Sequence, residues 1–418
     1  MARSPFRLLL CSMALGAVAL DPAAAQQQPK PRARELGISP LIGGSPGPLD
    51  AITDVAGIEV GHTTLISGSG RLVVGRGPVR TGVTVVHPRG RGSADPVFGA
   101  WFTLNGNGEM TGTTWLRESG VLEGPIAITN THSVGVVRDA ILQWQVKRPG
   151  LQPWGLPVVA ETYDGALNDI NGFHVRPEHV AAALDGARAG PVAEGNVGGG
   201  TGMVCHQFKG GIGTASRRLD AAAGGWTVGV LVQCNYGARR ELRVAGVPVG
   251  EEIADLLPCV ASSDSTLRPR ARRCPGAAAS GRVSSASDGG ADEGAGSIII
   301  VVATDAPLLP HQLERVAKRA ALGVGRMGGR GENSSGDIFV AFSTANPRTA
   351  ADTGVARLEM LPNARINPLF AATIQATEEA ILNAMLAAET MTGADEFRVE
   401  ALPRERLLAA MRKYGRVR

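Results

Sequence analysis

The chain has 418 residues, 44% hydrophobic and 19% charged, enough to build a sizeable core in one large domain or two ordinary ones. Its net charge of +4 is small for that length and gives no basis for a nucleic-acid partner, which calls for a concentrated basic face. Glycine, at 56 residues, is about twice the usual ~7% share, so many turns and close backbone approaches are expected.

Residues 1–25 read as a secretory signal peptide. Arg3 and Arg7 precede the apolar run LLLCSMALGAVAL, and Ala23, Ala24 and Ala25 offer a small-residue cleavage site before Gln26. The run is too short to span a bilayer, which takes about 20 residues. Cys11 follows a bulky Leu10, unlike a lipoprotein signal. No later stretch resembles a membrane span, so a periplasmic or secreted protein is expected. Four cysteines then remain, in a compartment that permits disulfides. Cys205 and Cys234 have apolar or glycine-rich neighbours and read as buried thiols, whereas Cys259 and Cys274 bracket a polar loop that a bridge could close.

In chain order, DAITDVAGIEVGHTTL and TGVTVVHP read as short strands with glycine turns. SVGVVRDAILQWQV has helical spacing, with Val136, Val137, Ile141 and Trp144 on one side. GLPVVAETYDG is a buried strand whose polar end holds Glu161, Tyr163 and Asp164. RPEHVAAALDGA is a short helix between Pro177 and Gly186. WTVGVLVQCNYG is another buried strand, ending at Asn235.

From 261 to 296 the only large aliphatics are Leu267 and Val283, too few to offset the entropy of ordering, so this segment reads as a flexible loop or linker. Its RPRARR is a solvated charge run. Order resumes at SIIIVVATDAP, a strand, then HQLERVAKRAALGVG, an amphipathic helix, and DIFVAFSTAN, a strand. TIQATEEAILNAMLAAETMTG is a helix with Ile374, Ile381, Leu382 and Met385 on one face and Gly393 as its stop, and residues 403–414 form a last basic helix. There are no internal repeats. The whole is one α/β domain interrupted by a loop.

Motifs of familiar chemistry are sparse. The glycine run at 195–203, GNVGGGTGM, lacks the P-loop spacing and reads as a close-packed wall. The seven histidines show no H-E-x-x-H pattern, so no metal is expected, and no G-x-S-x-G elbow is present. What stands out is Gly296-Ser297, at the junction of linker and strand. A serine there can attack the carbonyl before it and become a new N-terminus. The freed α-amine, with a pKa near ~7.7–8.0, then supplies the base a weak hydroxyl nucleophile needs.

Eight segments in order, DVAGIEVGHTT, LNGNGEMTG, AETYDGALNDI, GNVGGGTGM, FKGGIGTASR, VQCNYGARRELRVAGVPVG, GSIIIVVATDAP and NSSGDIFVAFSTAN, together resemble the L-aminopeptidase/D-esterase family, which includes the β-peptidyl aminopeptidases. The resemblance runs from about residue 37 to about residue 388. The resemblance implies a four-layer αββα sandwich, related in architecture but not in connectivity to the N-terminal nucleophile hydrolases. It implies self-cleavage at Gly296-Ser297 into subunits that stay together, in a tetramer of αβ pairs. It implies an activity without cofactor or metal, releasing N-terminal residues from short peptides, amino-acyl amides or esters.

Residue by residue, Ser297 matches the nucleophile and Asn235 the oxyanion-hole amide. Ser335 and Asp337 match positions that assist by hydrogen bonding, Asp337 standing where many relatives have Glu. Glu161 matches the carboxylate that pairs with the substrate's amino group, and Tyr163 an aromatic residue near the nucleophile. The expected organisation is a signal peptide at 1–25, an α-subunit part at 26–260, a linker at 261–296 and a β-subunit part at 297–418 of the same catalytic domain. Two alternatives remain at this stage: an acyl-transfer enzyme of the same fold, and an unprocessed, non-catalytic periplasmic binding protein. The linker is longer than the family leads one to expect.

Overall fold

The computed structural model describes Met1 and residues 31–148, 150, 154–276, 296–348 and 354–417. Residues 2–25 of the expected signal peptide therefore lie outside the described residues, as do 277–295 of the expected linker. The first part of the chain supplies α1 (Ser39–Ile42), β1 (Glu59–Ser67), β2 (Val79–His87), β3 (Val97–Thr103), α2 (Thr113–Ser119), β4 (Val121–Leu122), β5 (Ile126–Asn130), α3 (Val134–Val146), β6 (Val158–Thr162) and α4 (Pro177–Asp185). The middle adds β7 (Val204–Cys205), β8 (Phe208–Lys209), β9 (Gly211–Arg218), β10 (Thr227–Asn235), α5 (Val249–Glu252) and β11 (Cys259–Val260). After residue 296 come β12 (Ser297–Thr304), α6 (Pro310–Arg326), β13 (Ile338–Ser343), α7 (Asn367–Ala387), β14 (Met391–Thr392), β15 (Phe397–Val399) and α8 (Arg404–Lys413).

Two sheets dominate this mixed α/β fold. One has the order β1-β2-β5-β6 and the other β4-β3-β13-β12-β10-β9. In the larger, β12 lies parallel to β13 and antiparallel to β10. Every residue of β12 is buried, which its unbroken aliphatic run requires of a strand covered on both faces. Period-two alternation divides that run. Ile298, Ile300 and Val302 share an apolar cluster with Leu313, Val316 and Ala320 of α6 and with Ala380, Ile381 and Ala384 of α7. Ile299, Val301 and Ala303 share another with Val86, Ile126, Ile128, Val158 and Ala160 of the smaller sheet. A third cluster joins Val83, Val85, Ala127 and Val159 to Val137, Ile141 and Trp144 of α3 and Val180 and Leu184 of α4. Each fully buried Ile or Val stabilises by about 1.5–3 kcal/mol, so the run holds the register that sets Ser297 at its end.

Three expectations are corrected. Helix α7 starts at Asn367 and ends at Ala387, while Gly393 lies beyond β14. Ile374 is only half-buried, whereas Glu379 and Asn383 are buried, because the carboxylate of Glu379 accepts hydrogen bonds from Arg217 and Ser39. Polar residues matched from distant segments thus occupy faces that periodicity assigns to solvent. The first part of the expected linker, 261–276, is held in place. A Cys259–Cys274 disulfide, with Cα atoms 5.0 Å apart, closes it, Leu267 is buried, and Arg268 donates to the carbonyl of Ala166 at 2.7 Å. Lastly, Cys205 and Cys234 are joined to one another rather than standing as thiols, their Cα atoms 5.6 Å apart across β7 and the end of β10.

Candidate active site

Ser297 is the first residue of β12, and its antiparallel partner is Asn235, the last residue of β10. Directly opposed residues of two strands point to the same face. Alternation puts that face between the two sheets, since Ile299 two residues on belongs to the inter-sheet cluster. Gly296 has φ +133°, and a Cβ there would stand 2.0 Å from the carbonyl oxygen of Asn235. Only glycine fits so close to the β10 backbone in that conformation.

Because β13 runs parallel to β12, the turn before β13 meets the start of β12. The Gly336 N–H donates to Ser297 Oγ at 3.0 Å. Ser335 Oγ donates to Asp337 Oδ1 at 2.6 Å, and the same oxygen accepts the Ile298 N–H at 3.2 Å. Burial raises the pKa of Asp337, opposed by the Ser335 hydrogen bond. Ser297, Ser335 and Asp337 are all buried.

Sequence reasoning missed what holds this turn. Asn105 Oδ1 accepts the Asp337 N–H at 2.6 Å while its Nδ2 donates to the Glu332 carbonyl at 2.9 Å. Asn107 Nδ2 donates to the Ser334 carbonyl at 2.7 Å. Both lie in LNGNGEMTG, a segment noted for resemblance without a role, and two asparagines among glycines were the available signal.

Asn235 has its side-chain orientation fixed at both ends. Its Oδ1 accepts the Val204 N–H at 2.7 Å, and its Nδ2 donates to the Tyr163 carbonyl at 2.9 Å, leaving the second Nδ2 hydrogen for another acceptor. Tyr163 thus reaches the site through its backbone. Its side chain is 52% exposed, and its hydroxyl lies over Gly165.

Glu161, in the last part of β6, is buried. Its Oε1 accepts the Glu109 N–H at 3.0 Å and its Oε2 accepts from Thr131 Oγ1. Burial raises its pKa, opposed by those hydrogen bonds. It adjoins the 335–337 turn through Gly108, where a Cβ would lie 3.0 Å from Gly336 Cα and 3.3 Å from Glu161 Oε1. The glycine run at 195–203 forms a wall: a Cβ on Gly199 would meet Gln233 Oε1 at 2.2 Å. Gln233 Nε2 in turn bridges the sheets, donating to the Thr129 carbonyl and Thr162 Oγ1, both at 2.9 Å. Among the described residues no three His, Cys, Asp or Glu side chains gather as a metal site, and no helix is long and apolar enough to cross a membrane.

The arrangement is a hydroxyl at a strand end, with a backbone N–H on its oxygen, a buried carboxyl two residues beyond that N–H's serine neighbour and a side-chain amide opposite. It suits acyl transfer to Ser297. The model of Peptidase family S58 matches residues 50–399. The chain is 56% identical over 390 residues to the beta-peptidyl aminopeptidase BapA of Sphingosinicella microcystinivorans, covering 93% of each. Among solved structures it is 48% identical to a Burkholderia sp. beta-aminopeptidase, with a TM-score of 0.77 over 92% of this chain and 99% of that one. It is 43% identical to the L-aminopeptidase D-Ala-esterase/amidase of Ochrobactrum anthropi, a prototype of the serine aminopeptidases and a variant of the Ntn hydrolase fold, with a TM-score of 0.79 over 93% and 100%. The chain belongs to peptidase family S58 and is a serine aminopeptidase of the N-terminal nucleophile type.

Proposed function

We propose that the chain cuts itself between Gly296 and Ser297 and then uses Ser297 to release N-terminal residues from short peptides, amino-acyl amides or esters. The observation that carries this reading is the Gly296-Ser297 junction, packed against the Asn235 carbonyl where only glycine fits, with an N–H already on Ser297 Oγ. In the first reaction Oγ attacks the Gly296 carbonyl carbon, the C–N bond breaks, and the nitrogen leaves as the Ser297 α-amine. Water then hydrolyses the ester, giving a Gly296 carboxylate and restoring the hydroxyl. In turnover the same oxygen attacks the substrate carbonyl, the new amine or the Ser335/Asp337 pair taking its proton and passing it to the departing amine or alcohol as that bond breaks. Water then hydrolyses the acyl-enzyme ester, releasing the N-terminal residue and restoring the hydroxyl. Asn235 Nδ2 donates to the oxyanion, and the Glu161 carboxylate pairs with the substrate's ammonium. Tyr163 holds Asn235 through its carbonyl.

The names of the BapA relatives make β-peptides the first substrates to try. The three apolar clusters support a four-layer arrangement, with α3 and α4, the two sheets, and α6 and α7 in succession. Arg3, Arg7 and the apolar run after them support export to the periplasm or beyond, and the family resemblance supports a tetramer of αβ pairs.

The test is a gel of the purified protein with an assay on an amino-acyl amide. Wild type is expected as two fragments that turn over substrate, and Ser297→Ala as one inactive chain. An uncut, fully active wild type, or a cut Ser297→Ala chain, contradicts the reading.

A further inference from the structure

Lys209 is fully buried on β8, and none of the steps above uses it. Its Nζ donates to the carbonyls of Met203 and Gly210 at 2.8 Å each and of Gly200 at 3.4 Å, three acceptors for the three hydrogens of an ammonium. Among the described residues no carboxylate forms an ion pair with it, and burial pulls its pKa down to about 7. An ammonium in that place costs free energy that the carbonyls offset, where a methionine would fill the same space without charge.

The Met203 carbonyl and the Val204 N–H belong to one peptide plane, and a peptide plane is rigid. On one side of it stands Lys209 Nζ, and on the other the Val204 N–H meets Asn235 Oδ1 at 2.7 Å. A cation on the carbonyl strengthens the N–H at the far side, and an acceptor so engaged makes the Asn235 Nδ2 hydrogens better donors. The frame is closed by the Cys205–Cys234 disulfide, since Cys205 follows Val204 and Cys234 precedes Asn235.

We propose that Lys209 is a positioning residue for the oxyanion amide, its ammonium aiming and polarising Asn235 through the Met203–Val204 peptide. This rests on the reading of Asn235 as the oxyanion donor. The test is a double-mutant cycle on the full chain, with Lys209→Met, Lys209→Gln, Asn235→Ala and Lys209→Met/Asn235→Ala, assayed on an amino-acyl p-nitroanilide. Lys209→Met is expected to lose about tenfold in kcat with KM within about twofold, Lys209→Gln to lose less because it keeps two donors, and the double variant to be no slower than Asn235→Ala. Should a variant accumulate uncut, its rate of self-cleavage replaces kcat in the same cycle. Wild-type kcat in folded Lys209 variants, or losses that multiply with that of Asn235→Ala, overturns the proposal. So does failure of both Lys209 variants to fold, which makes Lys209 a folding residue. An Asn235→Ala enzyme of unchanged kcat instead removes the underlying reading of Asn235.

Discussion

The two sides of the site are held by different means. On the side of Ser335 and Asp337, a turn that packs on the end of β12 is fixed by side-chain amides, those of Asn105 and Asn107, reaching from a segment more than 220 residues earlier in the chain. On the side of Asn235, the fixing is done by backbone pressed on backbone, a disulfide and a buried lysine. Loss of a single amide leaves the first arrangement with neighbours that can compensate, because Asn107 and the Leu104–Asp337 backbone hydrogen bond still span the two loops. Asn235 itself has no such understudy: among the described residues it is the side-chain amide that the strand register sets opposite Ser297.

That contrast can be broken by substitution. Asn235→Ala is expected to lower kcat by ~10²–10³ with little change in KM, and to slow self-cleavage in proportion, because both proposed reactions would form an oxyanion at the same place. Steady-state rates and a time course of cutting check both. Asn105→Ala is expected to cost less, about tenfold in kcat, since the hydrogen bond it removes from Asp337 acts on a group beside Ser297 and not on the reacting atoms. Equal losses in the two variants would erase the distinction between the sides.

The smallest effect concerns pH. Burial raises the pKa of Glu161, so the carboxylate that would bind an ammonium is lost, as pH falls, above the ordinary ~4.3 of a glutamate. Measured kcat/KM is therefore expected to fall on the acid side through that raised pKa, with most of the change in KM. Glu161→Gln, which bears no charge at any pH, is expected to have a high KM without that limb. An acid limb unchanged in Glu161→Gln would assign it to Asp337, whose pKa burial also raises.

The strands that make the site were legible because their covered faces demand aliphatic runs. SIIIVVAT and TVGVLVQCN could be placed as buried strands, and the register between them then sets Ser297 opposite Asn235. The site residues themselves came from eight ordered segments of resemblance, since a serine after a glycine or an asparagine after a strand has ordinary turn uses. What stayed hidden depended on partners far along the chain. Asn105 meets Asp337 across 232 residues, and Glu379 meets Arg217 across 162, which turns a solvent-like helix face inward. Whether Cys205 and Cys234 are thiols or a bridge depends on β7 lying against the end of β10, a contact no local pattern encodes. Nothing local marks Lys209 as buried, for the same reason.

Ser297 is proposed to break its own peptide bond and then to carry the substrate's acyl group. Acid-quenched enzyme, taken within the first turnover of an amino-acyl ester and measured by mass spectrometry, tests it most directly. The expected product is a fragment of residues 297–418 beginning Ser-Ile-Ile-Ile, heavier by the acyl group, with the added mass on Ser297. Added mass on any other residue, or turnover by a chain that was never cut, would contradict it.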